Sequence, residues 1–510
     1  MPNLRSSRHR APPVRAQPAD LPSRPPASKR PRLSQPPSTI FHRLLDRELG
    51  GTVQRHFAKR SARERFSHLK QRLNFDVYSM EHAPPALDFL AHQRYRVTEL
   101  CAAEDMVFGL TENGVCAAHC IRSGRQLCVL NSDPSEIIRS LFHNRINRTL
   151  ITVSVYAHDQ FSCLRCRETK LARLREGVIE NATPLYESES LRWPGFVEFD
   201  DVNGKVLTFS ADRSTYKVWS MAEPSVVLYE FDDTALPNGV EEIKISPGIM
   251  LLIAKYDRQH ATHIPLRILA IETGDILRDI RQPLKKGAAV DIIEQFNERL
   301  LLKQEGHPLL IIDLLGGSVL KVPHPFFDTP AAFIFLFENH TFLAFKDNTI
   351  TVWNFKGEML ASFDDHRLYF PIPDVDHTSV IYITQSQETI ISLCEDPPPT
   401  AAAVPVAAAA AAAATAEGGA ADGSLMDDPP AAPAAPGPVV EQGGDESVAA
   451  ADGGRAVSIH VSNVKTGKLL ARIDQRALPH QANVTALCYS EETGDIITGN
   501  DRGYISVWSN

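Results

Sequence analysis

The chain has 510 residues, with 53 Lys and Arg against 62 Asp and Glu, a net charge of −9 and 43% hydrophobic residues. That apolar fraction is too high for a wholly disordered chain. The one long uncharged stretch, from Pro397 into the poly-Ala run, is Ala and Pro rather than Leu and Ile, so it would not partition into lipid.

Charge is laid unevenly along the chain. Residues 1–72 carry 17 cations and 4 anions, residues 397–454 carry 8 acids and neither Lys nor Arg, and the remainder holds −14. A basic arm, an acidic body and an acidic insert should therefore behave differently. Eight unevenly spaced cysteines, with no apolar signal segment ahead of them, predict a reducing compartment. There the Asn-x-Ser/Thr sites at Asn147, Asn181, Asn339 and Asn483 are chance matches.

Residues 1–37 are Pro, Arg, Ser and Ala with almost no large apolar side chains, so a disordered basic arm is predicted. Within it Lys29, Arg30 and Arg32 form a compact cluster of the kind that serves nuclear import. A plain solvated tail, a transit peptide and nonspecific nucleic-acid contact are the other readings of the same composition.

A helical docking segment is predicted next, over 38–72. Ser38 or Thr39 can cap a helix that Gly50-Gly51 end. Ile40, Phe41, Leu44, Leu45 and Leu49 fall on one face, with Arg43, Asp46 and Arg47 on the other. A helix of about 11 residues is marginal alone in water, so it must dock. It does so either on its own body or in a partner's groove.

From residue 73 onward the pattern is that of short strands, in 73–396 and again in 455–510. Apolar runs of four to seven residues are separated by Asn-Gly, Asp-Asn, Thr-Gly and Asp-Arg-Gly turns, and no sustained 3.6-residue period occurs. The predicted class is all-β. Three strands end in Val-Trp, at Trp219, Trp353 and Trp508. The first two are 134 residues apart, near three units of about 45. The last two are 155 apart, or about two units once the 58-residue stretch 397–454 is set aside as a disordered Ala/Pro/Gly insert.

Units of that length with four strands each predict a β-propeller. Blades should begin near Val97, Ile138, Val197, Val240, Val290, Ala331, Ser379 and Val484, giving eight, with seven as the alternative. The last unit has room for three strands, and Phe75–Met80 is the expected closing strand from the other terminus.

The segments ending in Val-Trp resemble degenerate WD repeats, with Trp219, Trp353 and Trp508 at the family's third-strand Trp. No Trp is followed by Asp, however, and the usual Gly-His pair is missing from these segments. Residues 74–510 also resemble a plant and algal family of transducin-like WD-repeat proteins. RYRVTEL (94–100), WPGFVEFDDVNGKVLTFSA (193–211), EIKISPGIMLL (242–252), TPAAFIFLFEN (329–339) and the terminal VWSN carry that likeness.

Metal and enzyme chemistry find little support. Cys163 and Cys166 form one CxxC, and Cys116, His119 and Cys120 lie on a strand-like stretch, where ligands three apart point to opposite faces. No metal and no cofactor is expected. Phosphate-loop, GxGxxG, HExxH and GxSxG motifs are absent, and acid pairs such as Asp200-Asp201 read as solvated loops. A noncatalytic platform for protein binding is expected, without a small-molecule substrate or a membrane, and with nucleic acid not suggested.

The predicted helix resembles the one by which WD-repeat substrate receptors insert into the damaged-DNA-binding protein 1 adaptor of cullin-4 ubiquitin ligases. Ile40, Leu44 and Leu45 match the apolar insertions, Arg47 the late basic residue and Leu49-Gly50 the ending. The family's Trp-Asp-x-Arg is missing; Trp353-Asn-Phe-Lys356 puts Lys356 at the position of the adaptor-contacting Arg, where a Lys lacks the planar fork. The resemblance implies a substrate receptor of a cullin-4 RING ubiquitin ligase, whose partners are that adaptor and a target protein. A general WD-repeat scaffold in a nuclear protein or ribonucleoprotein assembly is the alternative. The expected location is the nucleus, with cytoplasm and then plastid as alternatives.

Overall fold

In the computed structural model the strands assemble into eight four-stranded antiparallel sheets arranged as a ring, an eight-bladed β-propeller. The structure describes residues 62–510 apart from 67, 80–86, 88–91, 323–326, 364–367, 369–380, 396–456, 475–482 and further gaps of one or two residues. The insert expected at 397–454 lies outside the described residues. Residues 54–510 form a unit by themselves.

The first strands of the blades are Val97–Ala103, Glu136–Asn144, Gly195–Asp200, Val240–Ser246, Val290–Phe296, Ala332–Leu336, Ile381–Ile383 and Val484–Ser490. Each starts within two residues of the position read from the sequence. The first strands of blades eight and one, one and two, four and five, and seven and eight pack against one another, as strands that line the axis of a ring do. In each blade the chain then runs outward, strand by strand. The turns joining first to second strand and third to fourth strand consequently open on one face, which we call the turn face.

Closure departs from the expectation. The last blade holds three strands from 484–509, and its fourth is Lys70–Asp76, paired antiparallel from Lys70↔Ser509 to Asp76↔Tyr504. The expected strand, Phe75–Met80, overlaps it only at its end. A blade's outermost strand is an exposed edge, and KQRLNFD alternates accordingly, with only Phe75 fully buried. The more apolar Val77 and Tyr78 lie beyond the strand, buried in the seam with blade one. Tyr78 Oη accepts from Tyr95 N and lies 3.0 Å from Asn113 Oδ1. Burial marked the seam rather than the strand.

The core lies between adjacent blades, where sheet faces pack. Leu207 and Val218 of blade three meet Met250 and Leu252 of blade four, and Leu343 and Val352 of blade six meet Ile390 and Cys394 of blade seven. Among the described residues two short α-helices depart from the pure strand reading. Ala62–Phe66 buries Phe66 against Tyr489, ring centroids 5.9 Å apart. Leu171–Arg175, between the third and fourth strands of blade two, buries Leu171 and Leu174.

Two irregularities repeat around the ring. The first strand carries a register shift in five blades, for example between Val97 and Glu99 and between Val484 and Ala486. In five blades the outermost strand has one extra residue opposite the third strand, and it is always a leucine: Leu127, Leu228, Leu277, Leu360 and Leu470. Such bulges bend and twist the edge. In four of these five blades, all but blade three, the turn just before that strand carries a left-handed glycine (Gly124, Gly274, Gly357, Gly467) that touches the preceding blade. A Cβ on Gly274 would lie 2.5 Å from the Tyr229 ring, and one on Gly357 2.7 Å from Val322 Cγ2. Only glycine fits there at φ near +75°.

Candidate functional site

Of the residues singled out for function, Ile40, Phe41, Leu44, Leu45, Arg47, Leu49 and Gly50 lie outside the described residues, as do Lys29, Arg30 and Arg32. The three tryptophans sit on third strands, and each is buried. Trp219 Nε1 donates to Thr208 Oγ1 at 2.9 Å and Trp508 Nε1 to Thr498 Oγ1 at 3.1 Å, both across to the second strand. Trp353 Nε1 donates to Thr351 Oγ1 of its own strand. Their role is to hold a blade together.

Lys356 has a different setting. It sits in the turn between strands Thr349–Asn354 and Met359–Phe363, where Asn354 Oδ1 accepts from the backbone N–H of Lys356 and of Glu358. This turn forms one wall of a cleft of about 620 Å³ between blades five and six. The cleft's floor is aromatic. Phe296 lies 4.3 Å from Phe355 and 5.1 Å from Phe337, ring centre to ring centre, and is stacked on both. Glu298, in the first turn of blade five, stands on the axial side, and Leu320 and Lys356 stand on the rim side. Asn297 and His340, in corresponding turns of the two blades, both adopt left-handed backbone at φ +48° and +49°.

Around the axis on the same face lies a second group, of which the sequence reading named only Asp201, as part of a solvated acid pair. Arg145, from the first turn of blade two, reaches Gln385 of blade seven, whose amide oxygen accepts from its guanidinium. Gln385 N donates to Glu491 Oε1 of blade eight at 2.6 Å. Burial pushes Glu491, Glu492 and Asp201 above the usual carboxylate range, and the Arg145 charge opposes it at each. Glu99 of blade one is pushed up to about 7 by burial, although Leu141 N donates to it at 3.2 Å. Five blades, one, two, three, seven and eight, thus contribute to one mixed-charge plug. Sequence could not show this, because convergence depends on ring closure.

The plug brings carboxylates together but no activated nucleophile. Burial pushes the nearby Cys101 thiol up to about 12, which keeps it protonated. Cys163 and Cys166 are both buried, and Cys163 lies before its strand in an isolated bridge to Arg192. Among the described residues no three His, Cys, Asp or Glu side chains come together as a metal site would need. Among the same residues no helix is long and apolar enough to cross a membrane.

Solved structures similar to this chain include the computationally designed Ika8 protein, at 15% identity over 82% of this chain and 97% of that one, with a TM-score of 0.45. BamB from Moraxella catarrhalis is similar at 10% identity over 87% and 98%, with a TM-score of 0.40. Neither likeness lends this chain a function. No curated protein matches its sequence. A family model does match residues 54–409, which takes in the closing strand and the first six blades; the chain belongs to that family, described as domain of unknown function DUF7899.

Proposed function

We propose that this propeller is a noncatalytic protein-interaction platform that serves as a substrate receptor of a cullin-4 RING ubiquitin ligase in the nucleus. The observation that carries the platform reading is the cleft between blades five and six, which joins a stacked aromatic floor to charges that have no ion-pair partner among the described residues. Concave sites with apolar floors and a few polar groups are where recognition concentrates. The ligase role rests on the pattern of residues 38–50. Ile40, Phe41, Leu44, Leu45 and Leu49 would enter the damaged-DNA-binding protein 1 adaptor, with Arg47 and Leu49-Gly50 at the end of the helix.

The test is a pulldown of the adaptor by the full-length chain. Leu44→Asp with Leu45→Asp should abolish capture, while capture by the double variant at the wild-type level overturns the ligase role. Limited proteolysis of the isolated chain adds a second readout. Cleavage within 38–50 that the adaptor suppresses supports the role, and protection without the adaptor favours a scaffold whose helix packs on its own body.

A further inference from the structure

The outermost strands begin with an apolar pair in five consecutive blades: Val227-Leu228, Ile276-Leu277, Val319-Leu320, Met359-Leu360 and Leu469-Leu470. The corresponding strands of blades eight, one and two begin Lys70-Gln71, Arg125-Gln126 and Thr183-Pro184. The apolar rim is therefore an arc rather than a ring. Beside the cleft Val319, Met359 and Leu360 each leave more than half of their surface in water, at 51%, 56% and 52%. Single exposed hydrophobics need no explanation, but an adjoining set beside a concave site marks an interaction surface.

Charge fixes what can fill it. Glu298 on the axial side and Lys356 on the rim side have no ion-pair partner among the described residues, and they do not pair with each other across the aromatic floor. Arg299, which also lines the cleft, is already held by Asp313 at 3.0 Å. An occupant that satisfies the cleft therefore presents a cation toward the axis, a bulky apolar side chain onto Phe355 and Leu320, and a carboxylate toward the rim. A lipid acyl chain or a neutral small molecule would leave both charges unmatched.

We propose that this cleft binds an extended segment of the target protein with the order basic, bulky apolar, acidic, laid from the axis to the rim. The proposal rests on the platform reading and deepens it. It assigns Lys356 to the target, where the family resemblance gave it to the adaptor.

A display library of random 16-residue peptides, selected on the immobilised full-length chain, provides the probe. Peptides that bind should share an aromatic or large aliphatic residue between a Lys or Arg and an Asp or Glu. Lys356→Glu should weaken the best peptide at least tenfold and shift renewed selection from acid to base at the rim position, and Glu298→Lys should do the converse. Leu320→Asp should also weaken it tenfold, with unchanged thermal unfolding showing that each variant is folded. Selected peptides with no charge order, or with affinities indifferent to Lys356→Glu and Glu298→Lys, overturn the proposal. So does loss of adaptor capture by Lys356→Glu, which would return that residue to the adaptor. Self-association of the wild type in sedimentation, removed by Leu320→Asp, would identify a second copy as the occupant and also overturn it. Adaptor capture that depends on Leu44 and Leu45 but not on Lys356 separates the fate of the ligase reading from that of the cleft.

Discussion

Trp508 donates its indole N–H to Thr498 Oγ1 at 3.1 Å, and both residues belong to one antiparallel pair in which Trp508 stands opposite Ile496. Thr498 is therefore two residues along the second strand, on the same face. Trp219 and Thr208 repeat the relation, with Trp219 opposite Val206. The bond satisfies a donor buried with its ring. Thr498→Val keeps the shape but leaves the N–H without an acceptor, so stability should fall by about 1–3 kcal/mol. Urea unfolding followed by tryptophan fluorescence measures it, and a change below a few tenths would show that the bond is dispensable.

Ring closure should be sensitive to acid. His119 of blade one stacks on Phe75 of the closing strand at 4.8 Å and places Nε2 3.3 Å from the Asp76 carbonyl, leaving Nδ1 bare. Burial pulls its pKa down to about 4 from 6.5. Between those values the unfolded chain binds a proton that the native protein refuses, so stability falls as pH drops from 6.5 to 4, by up to about 3 kcal/mol. His119→Phe keeps a ring against Phe75 and cannot titrate. Its loss of stability over that window should be smaller than the wild type's by that amount, and parallel profiles would refute the assignment.

Glu99 should act with the opposite sign. Its folded pKa of about 7 lies above the ordinary 4.5, so the native state retains a proton that the unfolded chain has released. Stability is then lost as pH rises from 4.5 to 7 and stays lost above 7. Glu99→Gln removes that cost while keeping an acceptor for Leu141 N. The variant should be more stable than wild type at pH 8, by about 2 kcal/mol, and equal to it near pH 4. Thermal unfolding at the two pH values decides the matter.

Blade-to-blade contact at the turn glycines should be intolerant. Gly274 has φ +74°, and a Cβ there would lie within 3 Å of three atoms of the Tyr229 ring, whose hydroxyl donates to the Ile271 carbonyl. Gly274→Ala adds left-handed strain to a forced shift of that ring, at a cost of about 2–3 kcal/mol. Gly248→Ala, also left-handed at φ +81° but with nothing within 4 Å, should cost only about 1 kcal/mol. Equal losses for the two would mean that the contact with Tyr229 contributes nothing.

The architecture was legible because local chemistry repeats it. Turn glycines, alternating apolar runs and the three Val-Trp endings place every first strand within two residues, since each blade buries its faces in the same pattern. The closing strand was misplaced because Lys70–Asp76 is an exposed edge whose alternation is weak, whereas Val77 and Tyr78 advertise a burial that belongs to the seam. Lys356 was singled out from a resemblance, and nothing local to it announced a cleft.

By itself the sequence determined the strands, their number per blade and their grouping, because those follow from side-chain period and turn chemistry within about 45 residues. Only the tertiary structure decided what meets across the ring. Arg145 finds Gln385 and Glu491 some 240 residues or more away, Phe296 stacks on Phe355, and Glu298 faces Lys356 over an aromatic floor. The physical reason is closure: joining Lys70–Asp76 to the last blade fixes the curvature of the ring, and that curvature alone brings turns from distant blades within reach of one another.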